Sequence, residues 1–189
     1  VVICTYNRPD DLKKAVESIL KQTVLPDSIM IVDASHDNRT EKLAGDYSSS
    51  SKAVNVFYIK SDVASLTYQR NLAVGKTKAK YVFFFDDDVV LDANYIEEIM
   101  VVYDAHDDAV GVSGCMRNYP KYNFLLTLFR KFFLLPYYSS RSSNIFQHSG
   151  FPIVSTLDSG VKVSSYMDGC MFSFKRFVFD EFSFDENLK

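Results

Sequence analysis

A chain of 189 residues, 47% apolar and 24% charged, is long enough to bury one large core and too apolar to be disordered. Its formal net charge of −3 lacks the basic footprint of a nucleic-acid binder, so no nucleic-acid partner is expected. Cys4, Cys115 and Cys170 lie in apolar runs without metal spacing, which suits buried thiols in a reducing, cytoplasmic compartment.

The first apolar run, residues 1–4, reads as a buried strand, and Thr5-Tyr6-Asn7-Arg8-Pro9 as the turn after it. Pro9 suits a first helical turn, and Asp10 and Asp11 complement the positive end of that helix. Leu12, Ala15, Val16, Ile19 and Leu20 then recur at helical spacing, with Lys13, Lys14, Glu17 and Lys21 facing away. Residues 29–32 form a second buried strand ending at Asp33, residues 38–47 a weaker helix, and 48–52 a serine-rich loop. Strands at 54–59, 81–85 and 110–115 alternate with helices at 65–76 and 94–103. The alternation predicts an α/β fold: a doubly wound, mostly parallel sheet with flanking helices. Ligands of such sheets bind beyond the carboxyl ends of the strands, where Thr5–Arg8, Asp33 and Asp86–Asp88 all fall.

From Asn118 the composition changes. Asn123, Thr127, Arg130 and Lys131 share one helical face, and Phe124, Leu125, Leu128, Phe129, Phe132 and Leu135 cover the other. This segment, 121–135, suits peripheral contact with the inner face of a membrane; the same pattern suits a helix packed on the sheet or a dimer contact. Residues 139–160 are polar and read as irregular and mobile, with Arg141, Gln147 and His148 as possible ligand contacts. Residues 161–165 and 170–174 return to strand, and 177–182 form a last short helix or turn. No run reaches the ~18 apolar residues of a spanning helix, and no secretory leader is visible. The chain opens inside a strand-like run without a methionine and stops just after an acidic stretch, so a piece of a longer protein is expected.

The chemistry centres on YVFFFDDDVVL, residues 81–91. Three adjacent carboxylates after a fully apolar strand repel one another and need compensation. A divalent cation supplies it: Mg²⁺ or Mn²⁺ suits hard oxygen ligands and keeps open positions for phosphate oxygens. If the backbone stays extended, Asp86 and Asp88 project to the same side. One can hold the metal while another accepts from a ribose hydroxyl, and Asp33 is placed to accept from a nucleobase N–H or a hydroxyl. Arg70 can pair with a phosphate or form a structural ion pair with the aspartates.

These residues resemble a known family. VVICTYNRPDDLKKAVESILKQT looks like the opening of family 2 glycosyltransferases of the GT-A fold, and IVDASHDNRT like their second-strand segment. Arg70-Asn71 followed by FFFDDDVV is similar to their approach to a D-x-D motif, here Asp86-Asp87-Asp88. YMDGCMFSFKR and FSFDENL resemble their acceptor-side segment, with Gly169 and Met171 at matching positions. The resemblance implies one GT-A-like domain over 1–189, with 1–117 as the donor half and 118–189 as an acceptor-side half incomplete at its C-terminus. It implies transfer, with inversion, of a sugar from a nucleoside-diphosphate sugar, UDP-sugar favoured, to a glycan or lipid-linked acceptor in cell-surface polysaccharide or glycan synthesis. Thr5, Tyr6, Asn7, Arg8, Asp33, Arg70, Asp86 and Asp87 would bind the nucleotide, Asp86 and Asp88 the metal, and Asp168 and Gly169 the acceptor side. The family's catalytic base lies in a Glu-Asp pair several residues after the FDENL-type stretch. Lys189 comes first, so the base is expected beyond it, with Asp168 the remaining acceptor-side carboxylate. A non-catalytic nucleotide-sugar-binding module stays open as an alternative. A sugar-1-phosphate nucleotidyltransferase fits less well, because it needs a glycine-rich loop after its first strand and the first glycine here is Gly45.

Overall fold

A computed structural model describes every residue except 121, 141, 157, 158 and 189. Lys121, the start of the expected amphipathic segment, and Arg141 therefore lie outside the described residues. The chain divides into two compact units, residues 1–112 with 169–189, and residues 113–168.

The first unit is a six-stranded sheet with helices on both faces. Its elements are β1 (Val2–Thr5), α1 (Pro9–Ile19), β2 (Ser28–Asp33), α2 (Arg39–Ser50), β3 (Asn55–Lys60), α3 (Leu66–Lys76), β4 (Tyr81–Asp86), α4 (Tyr95–Ala105) and β5 (Gly111–Val112). Strands run in the order β3-β2-β1-β4, continuing into β9 (Met171–Lys175) and β5. The first four are mutually parallel, and β9 is antiparallel to both of its neighbours. Because β4 returns to the far side of β1, the strand order reverses between them, which is the doubly wound arrangement expected.

The apolar runs of the sequence account for this sheet. Val82, Phe83, Phe84 and Phe85 are all buried, as a strand covered on both faces requires. Phe83 and Phe85 join one core with Ile3, Ile29 and Ile31 of the sheet, Leu12 and Val16 of α1, Ala44 of α2, and Ile96, Ile99 and Tyr103 of α4. Phe84 points the other way, stacking on Phe172 at 5.1 Å and meeting Phe179 and Phe184 edge-on. The 3₁₀ turn Arg176–Asp180 supplies Phe179.

The second unit holds α5 (Phe124–Phe132) and a small sheet of β6 (Tyr137–Ser139), β7 (Ile145–Phe146) and β8 (Pro152–Ser155), ordered β6-β8-β7. Residues 139–160 are thus more regular than their composition indicates. The strands are two to four residues long, too short for alternation to register. Residues 161–165 form no strand; Val161 and Val163 are exposed, so their alternating pattern has no sheet to face. The expected strand at 110–115 shrinks to Gly111–Val112, because Ser113 and Gly114 are poor strand formers and the chain leaves the sheet there. Asn123 caps α5 by accepting from the Leu126 N–H at 2.8 Å.

Candidate active site

The reversal of strand order sets β1 beside β4 with their carboxyl ends aligned. The register pairs Thr5 with Asp33 and Cys4 with Asp86, so the segments expected on one edge do share it. The Thr5 hydroxyl donates to Asp87 Oδ2 at 2.7 Å, both side chains buried. A cavity of about 340 Å³ opens here, lined among others by Thr5, Tyr6, Arg8, Gln69 and Asp87.

Asp86, Asp87 and Asp88 diverge. The backbone turns after Asp86, with Val89 N–H donating to Asp86 O at 3.4 Å, so the extended geometry that would set Asp86 and Asp88 side by side is not kept. The buried Arg70 guanidinium donates to Asp86 Oδ1 at 3.1 Å. Asp87 folds toward β1. Asp88 points outward, its side chain 57% exposed, and Arg8 Nη1 lies between Asp87 Oδ1 at 3.3 Å and Asp88 Oδ2 at 3.4 Å. Two guanidinium groups thus offset a charge cluster that the fold leaves open on one side.

Burial raises both Asp86 and Asp87 above the usual 3.8; Arg70 opposes the shift at Asp86, and Thr5 and Arg8 oppose it at Asp87. A carboxyl raised on folding keeps its proton more readily in the folded chain. Without metal its contribution therefore falls as pH rises from the ordinary carboxylate range through the raised value, and is level above it. Asp87→Asn removes one such group. Its stability relative to the parent should grow from about pH 4 to pH 7 in denaturant titrations; a difference that stays flat would contradict the shift.

Asp33 is completely buried. Its Oδ1 accepts from the Ser35 N–H at 2.8 Å and its Oδ2 from the Tyr58 hydroxyl at 3.0 Å. Burial, and then the bond to Asp33, push the Tyr58 phenol well above its usual range. Ser35 in turn accepts from the Asn7 N–H at 2.7 Å, and Asn7 adopts φ 57°, a left-handed turn that asparagine tolerates. Tyr6 and His36 close this loop pair, hydroxyl to Nε2 at 3.1 Å, with their rings edge-on. The β1–α1 and β2–α2 loops are therefore laced together beside Tyr6, which itself lines the cavity. Cys4 beneath them is pushed up to about 12 by burial, so it is an inert thiol.

Three consecutive residues of α3 contribute more than the sequence indicates. Gln69 is buried and donates to Thr5 O at 3.2 Å and Val32 O at 2.7 Å, tying the ends of β1 and β2. Arg70 also donates to Gly169 O at 2.8 Å and lies 4.9 Å from the centre of the Phe172 ring. Asn71 brackets Phe184, donating to its carbonyl and accepting from its N–H, both at 2.9 Å, and also donates to Glu186. Sequence reasoning missed Gln69 and gave Asn71 no role beyond its place beside Arg70, since a polar residue on a helix gives no sign of a backbone partner elsewhere. Gln69→Leu should cost about 1–2 kcal/mol in urea titration, because two buried carbonyls each lose a donor; a loss under about 0.3 kcal/mol would show the tie to be idle.

In the second unit, Asp168 Oδ2 accepts from the Tyr119 hydroxyl at 3.0 Å. Burial and the charge of Asp168 push the Tyr119 phenol up. Gly169 opens the return segment of the first unit, its carbonyl taken by Arg70.

Among the described residues, no group of three His, Cys, Asp or Glu side chains is gathered as a metal cage. A cation bound through one or two carboxylates, and otherwise by phosphate and water, needs no such cage. Asp88, outward and half-exposed, offers the open carboxylate such a mode needs, whereas Asp86 is already paired with Arg70.

A doubly wound sheet carrying an acidic cluster and laced loops at its switch point is an α/β architecture whose ligands bind beyond the carboxyl ends of its strands. The profile of Glycosyl transferase family 2 matches residues 1–182, and the chain belongs to that family. It is 27% identical over 116 residues to a glucosyl-dolichyl phosphate glucuronosyltransferase of Haloferax volcanii, covering 60% of this chain and 36% of the relative. With the O-antigen chain rhamnosyltransferase RfbN of Salmonella typhimurium it shares 29% over 122 residues, 64% of this chain and 37% of the relative. The chain thus spans little more than a third of these relatives' length. Among solved structures, S. aureus TarS 1-349 in complex with UDP aligns over 100% of this chain and 50% of its own, at 16% identity and TM-score 0.65. The mannosyltransferase PcManGT of Pyrobaculum calidifontis, in complex with GDP-Man and Mn²⁺, aligns over 95% and 44%, at 15% identity and TM-score 0.63. These likenesses establish the GT-A fold expected from the sequence.

Proposed function

We propose that this chain carries the donor half of an inverting, metal-dependent glycosyltransferase, which moves a sugar from a nucleoside-diphosphate sugar to an acceptor hydroxyl in cell-surface polysaccharide or glycan synthesis. The observation that carries the reading is the Thr5–Asp87 contact at 2.7 Å, which sets the acidic cluster against the β1 loop at the switch point. Residues 1–117 form the donor half, and Asp168 and Gly169 belong to the acceptor side. UDP-sugar is the favoured donor and a glycan or lipid-linked hydroxyl the acceptor; relatives that use a dolichyl phosphate or build O-antigen support this.

Each residue has a task on this reading. Asp33, completely buried, holds Ser35 and Tyr58 and so shapes the nucleobase side of the site from beneath, while Tyr6, Asn7 and Arg8 flank the nucleoside. Arg8, shared weakly between two carboxylates, is free to turn toward a phosphate. Arg70 holds Asp86 in place. Asp86 and Asp88 would hold Mg²⁺ or Mn²⁺, which supplies charge neutralisation for the departing diphosphate. None of the three cysteines forms a disulfide, which supports a cytoplasmic location, here at the inner face of a membrane through residues 121–135. No helix among the described residues is long and apolar enough to cross one.

Calorimetry with UDP in the presence and absence of Mn²⁺ tests the donor site. Binding that requires the metal is expected. If neither UDP nor another nucleoside diphosphate binds with either Mn²⁺ or Mg²⁺, the assignment falls.

A further inference from the structure

The charges of this chain are segregated. Residues 109–157 contain five Lys or Arg, at 117, 121, 130, 131 and 141, and no carboxylate, in a chain whose net charge is −3. Helix α5 lies inside this stretch and buries none of its residues. Phe124 is 78% exposed, Leu125 73% and Phe132 79%; Leu128, Phe129 and Phe133 are also exposed. Aromatic and aliphatic side chains cover one side of the helix, while Arg130 and Lys131 occupy its last turn. The Arg130 guanidinium lies 4.7 Å from the centre of the Tyr122 ring and the Lys131 ammonium 5.2 Å from that of Tyr137, so each cation is held beside an aromatic body.

We propose that α5 docks the protein onto an anionic lipid surface, Phe124, Leu125, Leu128 and Phe132 entering the acyl boundary while Arg130 and Lys131 meet headgroup phosphates. The helix has nine residues, far too few to span a bilayer, and its arrangement suits one lying in the interface. A second copy is the poorer occupant. A twofold contact through this face would bring one carboxylate-free basic stretch against another. An anionic leaflet satisfies both features at once, taking up the apolar area and attracting each cation. The inference rests on the membrane location proposed above but not on the donor site, so nucleotide binding measured in the same preparation tells the two failures apart.

The test is co-sedimentation of the full-length protein with phosphatidylcholine vesicles, with and without roughly one-third phosphatidylglycerol. Partitioning should be about tenfold or more stronger on the anionic vesicles and should fall in about 0.5 M salt. Phe124→Ser with Phe132→Ser should abolish it, and since both side chains are exposed the fold should survive. Arg130→Glu with Lys131→Glu should remove the preference for anionic lipid. Absence of binding to either vesicle, equal binding to both, or parental binding by the serine variant would overturn the proposal. Self-association lost in the serine variant, with no vesicle binding, would overturn it in favour of a second copy.

Discussion

Asp88→Ala should lower metal-dependent affinity for a nucleoside diphosphate by about a hundredfold or more, ~3 kcal/mol, and leave the unfolding midpoint unchanged. The two expectations come from different features of one side chain. Asp88 is outward-facing, and its contact with Arg8 is long, at 3.4 Å between two half-exposed groups. Such a pair contributes little to stability. As a ligand its position is different: of the three aspartates it is the one the fold has not committed. Asp87 is spent on Thr5 at 2.7 Å and Asp86 on Arg70 at 3.1 Å. Asp87→Ala should therefore combine weaker binding with lost stability, because it strands the buried Thr5 hydroxyl. Calorimetry with Mn²⁺ and UDP, beside urea titration of the same samples, separates them. An Asp88→Ala chain that binds like its parent would remove Asp88 from the metal site.

This partition among three adjacent aspartates shows where the sequence stops being informative. The apolar runs at β1, β2 and β4 and the 3.6-residue spacing of α1 are local signals, and they suffice for the sheet, its winding and its functional edge. A DDD motif is local too, but what each carboxylate does depends on which element comes alongside. The turn after Asp86 sends consecutive side chains to α3, to β1 and to solvent. Nothing in the motif encodes that division. The same holds for β9. Its composition marks residues 170–174 as a strand, yet its place between β4 and β5, antiparallel to both, follows only once the chain has left the sheet at Val112 and returned at Gly169. Arg70 was legible as a partner of the aspartates. That its neighbour Asn71 grips the backbone of Phe184, 113 residues away, was not.

Arg70 should accordingly be the most costly polar residue of the site to remove. Its side chain is 9% exposed and has three kinds of partner: Asp86, the Gly169 carbonyl, and the rings of Phe84, Phe172 and Phe184. Arg70→Met preserves most of the volume but leaves Asp86 without its nearest positive charge, in a place where burial already raises its pKa. Breaking a fully buried pair by removing one partner costs about 3–5 kcal/mol. The Asp86 side chain is 32% exposed, so water recovers part of that, and about 2–3 kcal/mol is expected in urea titration at pH 7. Arg70→Lys should lose a substantial part of the same amount, because an ammonium keeps the charge but lacks the planar fork that reaches carboxylate and carbonyl together while lying on aromatic rings. The decisive variant combines Arg70→Met with Asp86→Asn. If the loss comes from an unpaired carboxylate, the double variant should regain about 1 kcal/mol or more over Arg70→Met alone. Strict additivity of the two substitutions would mean that Arg70 stabilises the fold by packing on the phenylalanines and bonding Gly169 rather than by pairing Asp86.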